Sequence, residues 1–152
     1  MQKRHGIPNL VDFVRYNGEK SMTIKAYVYA AYFRWFILRY QKKNPRKFRS
    51  VLGQENQESS MDVKQEELKY VRLVSRHVRR VAGNTPWESK CLVQAMTAQK
   101  LLHEKNIETT LYLGVGYEED GSMRAHSWLR YGNFCVTGGG DTGCAVVAKF
   151  RK

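Results

Sequence analysis

Acidic side chains, cysteines and prolines are scarce in this chain, and it lacks any long uninterrupted apolar run. Three cysteines in 152 residues are too few for the disulfide framework of a small secreted domain. The first residues are polar and no apolar segment ends in a small-residue cleavage site, so a reducing, cytoplasmic protein is expected. Cys135 and Cys144 then read as small buried hydrophobes on strands. The most apolar stretch, Ile24 to Tyr40, is interrupted by Lys25, Arg34 and Arg39 and falls short of the ~20 apolar residues a bilayer span needs. Gly138-Gly139-Gly140 is not followed by a Lys-Ser/Thr helix, so no phosphate-binding loop is evident, and no cofactor or metal is expected.

The shortage of acid leaves 26 Lys+Arg against 14 Asp+Glu, a net charge of +12. Such a chain favours an acidic partner: a peptide, a nucleic acid, a membrane surface or another protein. Residues 1–60 carry 12 basic and 4 acidic side chains, so the excess is concentrated there. The basic residues are scattered among helical patterns, and no zinc-finger, helix-turn-helix or RNP signature is present. This argues against a nucleic-acid-binding module.

Composition divides the chain into three stretches. Residues 1–42 are expected as a basic, aromatic-rich helical extension, with Tyr27, Tyr29, Tyr32, Phe33, Trp35, Phe36 and Tyr40 on one helix. That helix either packs on the main body, lies at a membrane surface through residues 24–40, or meets a partner protein. Residues 43–61 are polar and contain a proline, which predicts a mobile linker. Residues 62–152 form the expected body. Leu68, Val71, Val74 (or Leu73) and Val78 recur at helical spacing, with Arg72, Arg76, Arg79 and Arg80 outside, and Gly83-Asn84 stops the helix.

A second helix follows, with an apolar stripe of Leu92, Ala95, Met96, Gln99 and Leu102, ending near Lys105-Asn106. Its start is ambiguous. Thr85-Pro86-Trp87-Glu88 is a capping-box pattern and leaves Cys91 in the second turn. Ser89 as cap puts Cys91 in the first turn, where unpaired N–H groups and the helix dipole favour an anion; the chemistry favours Ser89. Strands follow at 109–117, 123–131, 134–137 and 144–150. Asp120-Gly121 predicts a type I′ hairpin turn, and Gly132-Asn133 a second tight turn. The expected fold is α+β: a helix laid on an antiparallel meander.

Cys91 and His126 are the most informative pair. The cysteine opens a helical pattern and the histidine stands on a strand 35 residues later, the layout of a thiol nucleophile with an imidazole base. Arg124, His126, Trp128 and Arg130 share a strand face. The backbone N–H of Cys91 is the natural oxyanion donor, and Trp87 would stand at the rim of the cleft. Turn register pairs Leu129 with Val136 and sets His126 opposite about Gly139. The nearest carboxylate, Asp141, then misses by roughly 6 to 7 Å on an extended strand, unless the three glycines fold the chain back. Asn133 and Thr137 are lesser candidates for orienting the imidazole.

Arg79-Arg80, Pro86-Trp87, Cys91-Leu92, Leu101-Leu102, Leu113-Gly114-Val115-Gly116, Ala125-His126-Ser127-Trp128 and Gly132 together resemble the transglutaminase-like leader peptidases of lasso-peptide biosynthesis, in their stand-alone form, over about residues 62–140. The resemblance implies a papain/transglutaminase-like core and a cysteine peptidase that removes a leader from a ribosomally made precursor. It implies Cys91 as nucleophile, His126 as base, and Trp87 and Trp128 at the substrate. It also implies two partner proteins, a separate leader-recognition protein and an ATP-dependent cyclase. The family's acid falls near Thr137-Gly138; this chain has no carboxylate there, and Asp141 is the candidate in its place. Hydrolysis and acyl transfer share one acyl-enzyme and stay open at this level.

Overall fold

A computed structural model describes residues 20–85, 90–140 and 143–152. Among these residues, four helices lie on one face of a five-stranded, wholly antiparallel sheet. Helix α1, Lys20–Tyr40, buries Thr23, Ala26, Ala30, Phe33 and Phe36, a spacing of three and four residues that keeps them on one stripe. Its small alanines let it approach the body closely. Thr23 Oγ1 lies 3.1 Å from Nδ1 of the buried His77 on the next long helix. Lys25 and Tyr29 both reach Glu104. The tyrosine's hydrogen bond, with help from Lys25, holds the Glu104 carboxyl below the usual carboxylate range. The same bond pushes the Tyr29 phenol up to about 12.

The segment expected as a mobile linker is structured. Helix α2, Pro45–Leu52, starts on Asn44, whose Oδ1 accepts from the Lys47 N–H at 3.1 Å, with proline at the first turn. Its Phe48 and Leu52 are buried, so two apolar residues one turn apart suffice to dock a short helix that composition alone hides. Strand β1, Gln54–Glu55, then pairs at the sheet edge. Helix α3, Gln65–Ala82, carries Glu66 and Glu67 in its first turn and Arg79 and Arg80 in its last, the charge order a helix dipole prefers. Helix α4 is Cys91–His103.

The strands are β2 Thr110–Tyr117, β3 Met123–Tyr131, β4 Phe134–Thr137 and β5 Ala145–Arg151, in the order β1-β5-β2-β3-β4. Strands β2 to β4 form the expected meander. The last strand departs from it: β5 crosses back to pair with β2, while helix α3 packs on β4, its Ser75 hydroxyl donating to Val136 O at 2.6 Å. The β2–β3 turn also differs from expectation. Gly121 alone takes a positive φ, 82°, and its N–H bonds to Glu118 O at 2.9 Å. This is a type I turn closed by a left-handed glycine, the usual form of a three-residue loop. Between Leu129 and Arg130 the β3–β4 register slips, so Leu129 faces Thr137 and not Val136.

Leu111, Leu129, Tyr131 and Phe150 point from the sheet into the helical layer and meet Phe33, Phe36, Val74, Met96 and Leu101 there. On the other face, Tyr112, Trp128 and Cys144 form a separate small cluster. Helix α1 leaves Ile24, Val28, Tyr32, Trp35 and Leu38 exposed. Among the described residues no helix is long and apolar enough to cross a membrane. The packing of α1 makes a direct prediction. Phe36→Ala, at 1% exposure, should destabilise the protein by about 3–5 kcal/mol, and Trp35→Ala, at 53% exposure, by less than about 1 kcal/mol. Urea midpoints of the two variants check this; equal shifts would mean α1 is not anchored through its Phe36 face.

Candidate active site

Cys91 is the first residue of α4, and Lys90, in extended conformation, is its cap, with no side-chain capping hydrogen bond. The helix does not start at Thr85, and Cys91 stands in its first turn. Thr85 is spent on the preceding turn, its hydroxyl 3.4 Å from Ala82 O; Ser89 and Trp87 lie outside the described residues. The thiol is free and half-buried. As first helical residue, Cys91 has an N–H with no partner inside the helix. The first turn therefore offers backbone donors beside the sulfur, as an oxyanion site requires.

His126 stands on β3 opposite Gly114. Its Nε2 lies 2.7 Å from Gly138 O and 3.1 Å from Gly140 O. A carbonyl oxygen only accepts, so Nε2 carries the proton and donates, and Nδ1 of the neutral ring holds the lone pair. Nδ1 is thereby the ring nitrogen left to accept a proton. The glycines that supply these carbonyls fold back as one unit, with φ of 84°, 70° and 86° at Gly138, Gly139 and Gly140, a left-handed run that side chains resist. Gly138 is also pressed against β3: a Cβ there would sit 2.5 Å from Ser127 O and 2.7 Å from Trp128 Cβ.

The imidazole is held from its flank by a stack. Its ring lies 5.7 Å from that of Trp128 at 24°, and Trp128 lies 5.2 Å from Tyr112 at 12°. Gly114 leaves room for the indole; a Cβ there would come within 2.8 Å of it. Tyr112 in turn donates to Glu58 and accepts from Arg130 Nε, both at 2.9 Å. The tyrosine's bond, then Lys149 and Arg130, hold the Glu58 carboxyl below its usual range. Burial pushes the Tyr112 phenol up.

The expected face-sharing of His126 with Trp128 is present. That face is turned away from the layer in which α4 packs, since Leu129 and Tyr131, on the opposite face, enter the helical core. Among the described residues no hydrogen bond joins Cys91 to His126. The paired part of β4 ends at Thr137, opposite Leu129, and beyond it the glycine run lies against β3 beside His126. Trp128 is only 6% exposed, packed between two rings, and so offers little surface to a substrate. Thr137 Oγ1 is buried and without a hydrogen-bond partner, and Asn133 lies in the β3–β4 turn at the far end of β3; neither holds His126. Asp141 lies outside the described residues. Sequence reasoning missed Gly138, Gly140, Tyr112 and Glu58 as supports of the imidazole; the triple glycine was the one visible signal. Among the described residues no three His, Cys, Asp or Glu side chains gather as ligands for a metal would.

A helix opened by a free cysteine, laid on an antiparallel sheet that carries a backbone-held histidine, defines a thiol-acyl scaffold of the kind cysteine proteases and acyltransferases use. A family model described as transglutaminase-like superfamily matches residues 33–151, and the chain belongs to that superfamily, whose members are usually cysteine-dependent enzymes. The match begins inside α1 and includes the segment expected as a linker. No curated protein and no solved structure matches the chain.

Proposed function

We propose that this protein is a cysteine peptidase that removes the leader from a ribosomally made lasso-peptide precursor in the cytoplasm. The observation that supports the reading is a transglutaminase-like domain that opens α4 with a free cysteine and carries on β3 an imidazole whose Nε2 is committed to two carbonyls. The short motifs around Cys91 and His126 resemble the leader peptidases and supply the substrate class.

The proposed reaction requires the Cys91 thiol to approach His126 Nδ1, the ring nitrogen not held by the glycine carbonyls. His126 Nδ1 takes the Cys91 proton as sulfur attacks the carbonyl carbon of the scissile amide. The oxyanion is met by the Cys91 N–H. The C–N bond breaks, the leaving amine takes the proton from Nδ1, and the leader remains as a thioester on Cys91. Water then gives a proton to Nδ1 and its oxygen to the thioester carbon, freeing the leader acid and the thiol. Trp128 serves as a positioning residue for the imidazole, and Asp141 as a candidate acid beside it. A separate leader-recognition protein presents the precursor, docking on the exposed apolar row of α1, and an ATP-dependent cyclase consumes the product. A membrane surface is the alternative occupant of that row.

The test is to mix the protein with a leader-bearing precursor and the recognition protein and to weigh the products. Free leader with a newly exposed core N-terminus is the expected outcome. Leader joined to an added amine would assign acyl transfer on the same thiol, and an uncut precursor would end the peptidase reading.

A further inference from the structure

Helix α3 and strand β4 enclose an open groove of about 630 Å³ lined by Arg72, Ser75, Arg76, Arg79, Arg80 and Phe134. The arginines stand at i, i+4, i+7 and i+8, which places them in one row along the helix. Among the described residues none of the four pairs with a carboxylate; the ion pairs present involve other side chains. Among the described residues the row is therefore a cluster of charge without a counter-charge. Ser75 anchors the floor through Val136 O, and the Arg72 guanidinium lies 5.8 Å over the Phe134 ring, so one end combines charge with an aromatic surface.

We infer that this groove binds an extended acidic peptide segment. The four arginines span about 12 Å of helix at 1.5 Å per residue. An extended peptide covers that length in about four residues, and alternate side chains on it recur every ~6.6 Å, near the helix pitch of ~5.4 Å. Acidic residues at alternate positions thus face successive guanidinium groups, which bind carboxylates as forks, with an apolar side chain against Phe134. A peptide suits the position better than a nucleic acid does. The groove's floor strand, β4, leads directly into Gly138 and Gly140, whose carbonyls hold His126, so a segment lying along β4 continues toward the candidate site. The inference rests on the peptidase reading for that delivery, and adds an acidic stretch to the substrate.

The probe is a short fluorescein-labelled peptide with glutamate at alternate positions and one phenylalanine. Its binding to the full chain carrying Cys91→Ala is followed by anisotropy at several salt concentrations. Adding Arg76→Glu and Arg79→Glu should weaken binding by more than about 30-fold. Lys42→Glu with Lys43→Glu, the same charge change at exposed positions after α1, should weaken it by less than about 3-fold. Equal losses from both pairs would overturn the groove, as would a single-stranded oligonucleotide of equal charge that displaces the probe more readily than unlabelled peptide does. If thermal denaturation shows the double reversal to be unfolded, Arg76→Gln with Arg79→Gln takes its place, with a loss of about 10-fold expected. With the active protein and precursor, the groove variant should raise KM and leave kcat in place. An unchanged KM with normal cutting overturns the groove alone, whereas probe binding by a protein that never cuts overturns the peptidase reading alone.

Discussion

Cys91→Ala abolishes precursor cleavage while leaving the fold intact: a loss of more than about 10⁴-fold in kcat is expected, with a urea midpoint close to that of the parent. The two readouts separate because of where the residue sits. Cys91 is half-buried at a helix start, so removing its sulfur vacates little of the core, whose weight lies in side chains such as Phe36, Leu101 and Leu129. Cys91→Ser should lose nearly as much, because a hydroxyl at that position is far less nucleophilic than sulfur. His126→Ala should match Cys91→Ala, and the double variant should be no worse than either, since nucleophile and base act as one unit. Stopped-assay product quantification by mass spectrometry checks all four proteins. Substantial turnover by Cys91→Ala would remove the thiol from the mechanism, and additive losses in the double variant would show the two residues acting apart.

The elements that were legible in the sequence are those where periodicity is strong. Val71, Val74 and Val78 announced α3, and Thr109 to Tyr117 announced β2; both stand within a few residues of their expected bounds. What was hidden depends on contacts between distant segments. Helix α2 rests chiefly on Phe48 and Leu52, whose core contacts come from segments distant in sequence. The placement of β5 beside β2 is a topological choice that alternation cannot express. At the site, alternation correctly set His126 with Trp128 on one face, but which face the helices cover follows from Leu129 and Tyr131 entering the core. The sequence offers only side chains as candidates to orient His126, whereas among the described residues the groups that touch its ring nitrogen are the backbone carbonyls of Gly138 and Gly140. A carbonyl belongs to every residue and leaves no trace in composition; only the run of three glycines hints that the backbone there does something side chains would prevent.

Gly138→Ala puts that backbone role to the test against a neighbour of the same type. At Gly138 an alanine meets two obstacles: a left-handed φ of 84°, costing roughly 1–2 kcal/mol, and a Cβ 2.5 Å from Ser127 O, which forces the peptide away from β3 and carries the carbonyl off Nε2. At Gly139 the φ is similar, 70°, but a Cβ there meets nothing within 4 Å and its carbonyl does not touch the imidazole. Gly139→Ala therefore carries the conformational cost without the displacement. If the carbonyls position the base, Gly138→Ala lowers kcat about 10²-fold, the scale of a misplacement near 1 Å, with KM little changed, and Gly139→Ala lowers it only a few-fold. Nitrogen NMR of His126 supplies a second reading: the proton resides on Nε2 in the parent and in Gly139→Ala, and loses that preference in Gly138→Ala. Asp141→Ala should cost less than Gly138→Ala, because the carbonyls already fix the tautomer. A loss at Asp141 as deep as that of His126→Ala would transfer the orienting role to the carboxylate, and equal effects at Gly138 and Gly139 would reduce the glycine turn to a structural device.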